Sequence, residues 1–223
     1  MIAARTKRTG IRANLLRLRD ETGGLALTEF AFSLPILMVL MASGLELSNY
    51  VLATKRVGDL AAMVADNASR MGMRSAGLSV HQISEAEIND VFTGAALQAD
   101  LSDFTENGRI ILSSLQRNAD DGQWIAWQRC FGNNGLGSTY GDQGDGASGT
   151  AFEGMGPANS RVQASRGTAV MFVEVSYNYE PIFPVMSLPA RTLREFAVFN
   201  VRESRDLGMP RNAENVDIQS CAG

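Results

Sequence analysis

One histidine, two cysteines and a few closely spaced carboxylates are the residues of this chain whose types could do chemistry. His81 stands alone. With no second histidine and no nearby cysteine it reads as a surface residue, not a base or a ligand. The acid pairs Glu85/Glu87 and Asp142/Asp145 have the right type for general acid–base work, but no nucleophile, base and orienter converge on either in a readable motif. Two cysteines exclude a four-cysteine zinc site, and one histidine leaves a Ser-His-Asp arrangement without a spare candidate. Asp142-Gln143-Gly144-Asp145-Gly146 offers oxygen ligands of the kind calcium takes, without EF-hand spacing or its terminal Glu. No Lys-Ser/Thr follows a glycine as in a phosphate loop. The chain is expected to carry no catalytic residues, no cofactor and no metal, and an exported enzyme has the least support of the function classes.

Charge and hydropathy point elsewhere. A length of 223 residues allows one or two domains, and 45% apolar with 20% charged residues excludes both a disordered polymer and a polytopic membrane protein. The net charge of −4 argues against general nucleic-acid binding. That average hides an asymmetry. Residues 1–24 hold six cations (Arg5, Lys7, Arg8, Arg12, Arg17, Arg19) and two anions (Asp20, Glu21), out of totals of 20 and 24, so the rest of the chain has 14 cations and 22 anions.

Directly after this basic stretch, residues 25–45 read LALTEFAFSLPILMVLMASGL, with Glu29 as the single charge. As a helix they span about 30 Å, the hydrocarbon thickness of a bilayer. The excess of Lys and Arg before the span predicts a cytoplasmic N-terminus and an exported C-terminal body, periplasmic in a Gram-negative bacterium. A carboxylate within a span costs roughly 2.5–3.5 kcal/mol at the centre and less near an interface, so Glu29 needs either the headgroups or a cation. Pro35 removes one backbone bond and predicts a kink that neighbouring helices can accommodate. A plain bitopic anchor and a cleavable secretory signal ending at Ala42-Ser43-Gly44 also fit these features, although the run is long for a signal h-region.

Gly24-Leu25-Ala26-Leu27-Thr28-Glu29-Phe30 resembles the processing site of type IV pilin-like proteins, and the wider stretch from Arg19 to Pro35 resembles the opening of TadE-like proteins, with Gly44-Leu45-Glu46 where the span ends. The resemblance covers about thirty residues. It implies cleavage after Gly24 by a prepilin peptidase that binds Gly24 and Leu25. It also implies an assembly role for Glu29, Phe30 and Pro35, with the Glu29 carboxylate compensating the new N-terminal amine of a neighbouring subunit. The implied protein is a minor pilin or pseudopilin of a Tad (Flp) type IV pilus. Its partners would be the peptidase, the major Flp pilin, other minor pilins and the inner-membrane assembly platform. The alternative is an uncleaved single-span inner-membrane protein whose periplasmic domain is a scaffold or binding module.

The elements behind these residues can be read too. Leu47, Tyr50, Thr54, Val57, Ala61, Val64, Ala68 and Met71 recur at spacings of three and four, which extends the helix through an amphipathic part in residues 46–76. This predicts one helix over residues 25–71, about 70 Å long. Its Ala-rich stripe, flanked by Val51, Leu60 and Ala65, offers contacts both to the chain's own sheet and to other subunits. A second helix is expected over 84–99, opened by a Ser84/Glu87 capping box. Strands are expected over 109–116, 123–131, 168–179 and 192–202, the first two joined by a hairpin at Asp120-Asp121-Gly122. Trp124 and Trp127 are expected on opposite faces of their strand. Prolines 181, 184 and 189 predict an irregular link before the last strand.

Residues 77–202 are expected to form a periplasmic α+β domain, and the whole fold is expected to be α+β: one long N-terminal transmembrane and amphipathic helix, residues 25–76, packed on a four-stranded antiparallel sheet, as in pilins. Nine glycines in residues 132–156 predict a long flexible loop. Residues 203–223 form a tail without periodicity. Cys130 and Cys221 both fall on the exported side, where pairing is favoured. Free thiols or pairing with a partner protein are the alternatives.

Overall fold

A computed structural model of the chain describes residues 23–74, 81–101, 103–183, 191–202 and 206–221. The basic leader up to residue 22, residues 75 and 76 at the expected helix end, Pro184 and Pro189 of the link, and the first residues of the tail lie outside the described residues.

Helix α1 runs Gly23–Arg70 without interruption, close to the expected bounds. Its lower half is apolar on every face except for Glu29 and the hydroxyls of Thr28, Ser33 and Ser43. Thr28 and Ser33 there return their hydroxyl protons to the Leu25 and Phe30 carbonyls at 2.8 and 3.1 Å, which satisfies both donors within the helix. Pro35 lies inside the helix and cannot donate to the Ala31 carbonyl. After Arg70, Gly72 turns the chain with φ 132°, a left-handed value that favours glycine. The two-residue strands β1 (Met73–Arg74) and β2 (His81–Gln82) then pair antiparallel. Helix α2 (Glu85–Gln98) opens on the expected capping box: the Ser84 Oγ accepts from the Glu87 N–H at 3.2 Å, and the Glu87 carboxylate accepts from the Ser84 N–H at 3.0 Å. A single turn, α3 (Phe104–Asn107), leads into the sheet.

The sheet is four-stranded and antiparallel in the order β4-β3-β5-β6, with β3 Gly108–Arg117, β4 Gln123–Phe131, β5 Val170–Tyr179 and β6 Arg191–Asn200. Its front face carries both long helices. The upper half of α1 crosses β5 and β6 and buries Ala53, Val57, Leu60, Ala61, Val64, Ala65 and Ala68 against Met171, Val173, Val175 and Leu193. Helix α2 covers the other side with Ile88 and Phe92, whose ring stacks on Phe131 at 5.8 Å. The fold is α+β, with a long N-terminal helix on a four-stranded antiparallel sheet.

Two expectations change. The pairing of β3 with β4 slips between Ser114 and Leu115, so that Ser114 faces Trp127 while Leu115 faces Ile125. Ala126 is the extra residue of a bulge, which breaks the strict alternation of the strand. Trp124 and Trp127 therefore both join the front core, and Ile125 joins the back.

The second change concerns residues 132–156. They have no regular secondary structure, but they form a packed cover over the back of the sheet. Phe152 and Met155, with Val162 and Ala164 beyond, close a second core over Leu115, Ile125, Val170 and Phe172. Gln128 and Gln143 exchange bonds, each backbone N–H donating to the other's side-chain oxygen at 3.0 and 3.2 Å. Gly146, at φ 75°, passes so close to β4 that an added Cβ would lie 2.1 Å from the Gln123 carbonyl oxygen.

Gly58 is a contrasting glycine. It is helical, and an added Cβ would meet only the Glu195 Cγ, at 3.9 Å. Gly58→Ala is expected to raise stability by about 0.5–1 kcal/mol through lower unfolded-state entropy, measured as a shifted urea midpoint.

Candidate functional site

The candidate functional element is the half of α1 that leaves the body. Residues 24–45 make no contact that buries them, apart from a half-covered Ala42. Leu25 and Phe30 are 63% and 57% exposed, and Glu29 is exposed one helical turn beyond Leu25. Among the described residues Glu29 has no ion-pair partner. Gly24 and Gly44 have open space around them. The structure thus keeps Gly24, Leu25, Glu29, Phe30 and Pro35 on one continuous exposed rod. Helix α1 is long and apolar enough to cross a membrane.

The rod does not change character at residue 45. Leu47, Val51 and Leu52 are also more than half exposed, and Lys55 is the first exposed charge after Glu29. Glu46 is the exception: it turns inward and is buried. Its Oε1 accepts from the Tyr179 hydroxyl at 2.5 Å, and its Oε2 accepts from the backbone N–H groups of Ile182 and Phe183 at 2.9 and 3.1 Å. Asn49 Nδ2 donates to the Tyr179 oxygen at 2.9 Å, and Tyr50 meets the Tyr179 ring edge-on at 5.4 Å. These contacts clamp the helix to the end of β5 where the free half begins. The clamp was not read as such from sequence. Its only signal was a carboxylate one residue past the apolar run, in Gly44-Leu45-Glu46.

Burial, reinforced by the Glu46 carboxylate accepting its proton, pushes the Tyr179 hydroxyl up from 10 to about 12. The folded state thus holds this proton more tightly than the unfolded chain. The corresponding stability is fully present below about pH 10 and is lost as pH rises through about 12. The alkaline phenolate titration should therefore show a late step that Tyr179→Phe removes.

The other candidates have structural partners. Glu85 is buried and pairs with Arg129, and Glu87 closes the capping box and also accepts from the Gly72 N–H at 3.2 Å. Asp142 and Asp145 stay near the surface, where the Asp145 Oδ2 accepts from the Asp142 N–H at 2.9 Å. Among the described residues no group of three or more His, Cys, Asp and Glu is placed to hold a metal ion. His81 pairs through its backbone with Arg74 in the small β1–β2 ladder. On the back of the sheet Glu174 is buried beside a cavity of about 70 Å³. It accepts from Ser138 and from the Thr139 N–H at 2.8 Å, while desolvation holds its carboxyl above the usual range. Both of its oxygens are thus engaged in fastening the glycine-rich cover.

Cys130 and Cys221 form a disulfide. It completes a strap that the sequence left as a featureless tail. The Leu207 carbonyl accepts from Gln116, Arg211 exchanges backbone bonds with Ile83 and Glu85, the Asp217 carbonyl accepts from Asn89, and the Gln219 carbonyl accepts from the Cys130 N–H at 2.8 Å.

Fold and site together define an α+β body carried on one helix able to cross a membrane. Comparison of the chain with family models, with curated proteins and with solved structures finds no match.

Proposed function

We propose that this protein is a minor pilin or pseudopilin that takes part in assembling a Tad (Flp) type IV pilus. It is inserted in the bacterial inner membrane with its N-terminus in the cytoplasm and its body in the periplasm, and a prepilin peptidase cleaves it after Gly24. The observation that carries this reading is the exposed, unbroken lower half of α1, residues 24–45, which bears one charge, Glu29. A buried interior helix would have a covering layer, whereas an assembly helix needs a surface that lipid covers first and neighbouring subunits cover later. Leu25 and Glu29 are one turn apart. After cleavage, the new amine of one subunit and the Glu29 carboxylate of the next can neutralise each other in an apolar bundle, where either alone would be costly. The clamp at Glu46 supports the same reading, because it fixes the body's orientation on the helix that would pack.

The partners that follow are the peptidase, the major Flp pilin, other minor pilins and the inner-membrane platform. The test is Gly24→Val in the native host. The variant is expected to accumulate at full precursor length and to abolish piliation. A variant that pilates and migrates like the wild type would instead favour an uncleaved anchor with a periplasmic scaffold or binding domain.

A further inference from the structure

We propose that the free edge of β6 is a docking site for an extended segment of a different protein, one that carries an acidic and an apolar side chain two residues apart. The chain treats the two edges of its sheet differently. On the outer side of β4 the Ile125, Gln128 and Cys130 N–H groups all have partners: the Asp145 carbonyl at 3.0 Å, the Gln143 side-chain oxygen at 3.0 Å and the Gln219 carbonyl at 2.8 Å. The cover and the strap thus close that edge. On β6 nothing comparable is seen. Just past its end the Val201 N–H donates to the Ala169 carbonyl at 3.0 Å, and the register runs unshifted to Arg191 opposite Tyr179, so the odd-numbered residues bond to β5. The backbone groups of Thr192, Arg194, Phe196, Val198 and Asn200 point the other way. Among the described residues no backbone group pairs with them. The strand is ten residues long, with no proline and no bulge, so its edge offers a regular ladder to an added strand.

The side chains on this edge specify the occupant. Arg194 is exposed and makes no ion pair among the described residues, and its Nη1 donates to the neutral Thr139 hydroxyl at 2.8 Å. Phe196, on the same back face, is 38% exposed and stacks on Phe172 at 5.3 Å. An added strand lays one acid beside Arg194 and, two residues away, one apolar side chain beside Phe196. A second copy of this chain does not fit while one membrane holds both, an exclusion that rests on reading α1 as membrane-spanning. β6 runs along α1, from Arg191 opposite Tyr179, whose hydroxyl meets Glu46, to Arg202, whose N–H donates to the Ser69 carbonyl at 3.3 Å. Antiparallel pairing of two β6 strands would therefore turn one copy upside down in the membrane. Parallel pairing about a two-fold axis along the membrane normal would set equal residues side by side, N–H against N–H, where a parallel ladder needs an offset of one residue.

The test is made in the native host, with p-benzoylphenylalanine in place of Phe196. Whole cells are irradiated and the adduct is mapped by mass spectrometry. The expected result is an adduct to another protein, in a stretch with an acid two residues from an apolar side chain. Val198→Pro removes an outward N–H and leaves the β5 ladder intact, so it should lower the adduct severalfold, whereas Val198→Thr should keep it. Formation of the Cys130–Cys221 disulfide shows that a variant folds. Arg194→Glu, which sets acid against acid, should also lower the adduct severalfold and takes the place of Val198→Pro if that variant does not fold. An adduct between two copies, an adduct that neither substitution lowers, or no adduct overturns the proposal. None of these readouts depends on whether the chain begins at Met1 or at Leu25, so the proposal and the cleavage reading fail separately.

Discussion

Arg129→Met is expected to destabilise the body by about 3–5 kcal/mol, read as a lower urea midpoint in the tryptophan fluorescence of the detergent-solubilised chain. The Arg129 side chain is 5% exposed and that of Glu85 is 1% exposed. Arg129 Nε donates to both Glu85 oxygens, at 2.8 and 3.1 Å, Nη2 donates to Glu85 Oε1 as well, and Nη1 donates to the Gln128 carbonyl at 2.7 Å. The guanidinium also lies 6.0 Å from the Trp127 ring centre. Removing the cation leaves the Glu85 carboxylate in the front core with no counter-charge. The desolvation cost of that lone charge is what the measurement reads, not the net worth of the pair. Replacing both residues, Arg129→Met with Glu85→Leu, should accordingly recover most of the loss. A single substitution costing less than about 1 kcal/mol would show that water reaches the pair.

Loss of the disulfide is the second large effect. Cys130 and Cys221 are 91 residues apart in sequence, and opening a closed loop of that size is expected to cost roughly 4 kcal/mol. Cys221→Ala should show it as a lower midpoint. The effect should also be local, because the strap's last anchors are the Gln219 carbonyl on the Cys130 N–H and the Cys221 carbonyl, 3.3 Å from Arg109 Nη2. Limited proteolysis after reduction should therefore cut the strap beyond residue 211 before it cuts the sheet. Simultaneous cleavage everywhere would mean that the bridge holds the whole body together.

The residues that were legible in the sequence are those whose partners are close by or whose pattern repeats. The α1 stripe, the four strands and the Ser84 capping box all follow from periodicity or from a three-residue spacing, and each lies within a residue or two of its expected place. What escaped depends on distant partners. The β4 bulge is set by pairing with β3, so strict alternation misplaced Trp124 relative to Trp127. The glycine-rich cover reads as loop because its composition forms no element, and its seat depends on Gln128, Gln123 and Asn118 in or beside the hairpin. Glu46 resembled a boundary charge. Its burial is visible only once β5 delivers Tyr179 and the turn after it delivers two N–H groups. The candidate residues from Gly24 to Pro35 were legible as a motif, and the structure adds that the body covers none of their side chains.

The most direct test of the proposed function is the N-terminal sequence of the membrane-extracted protein, made with and without the partner prepilin peptidase. A chain that begins at Leu25 only when the peptidase is present is the predicted result. A chain that begins at Met1 in both cases would contradict it.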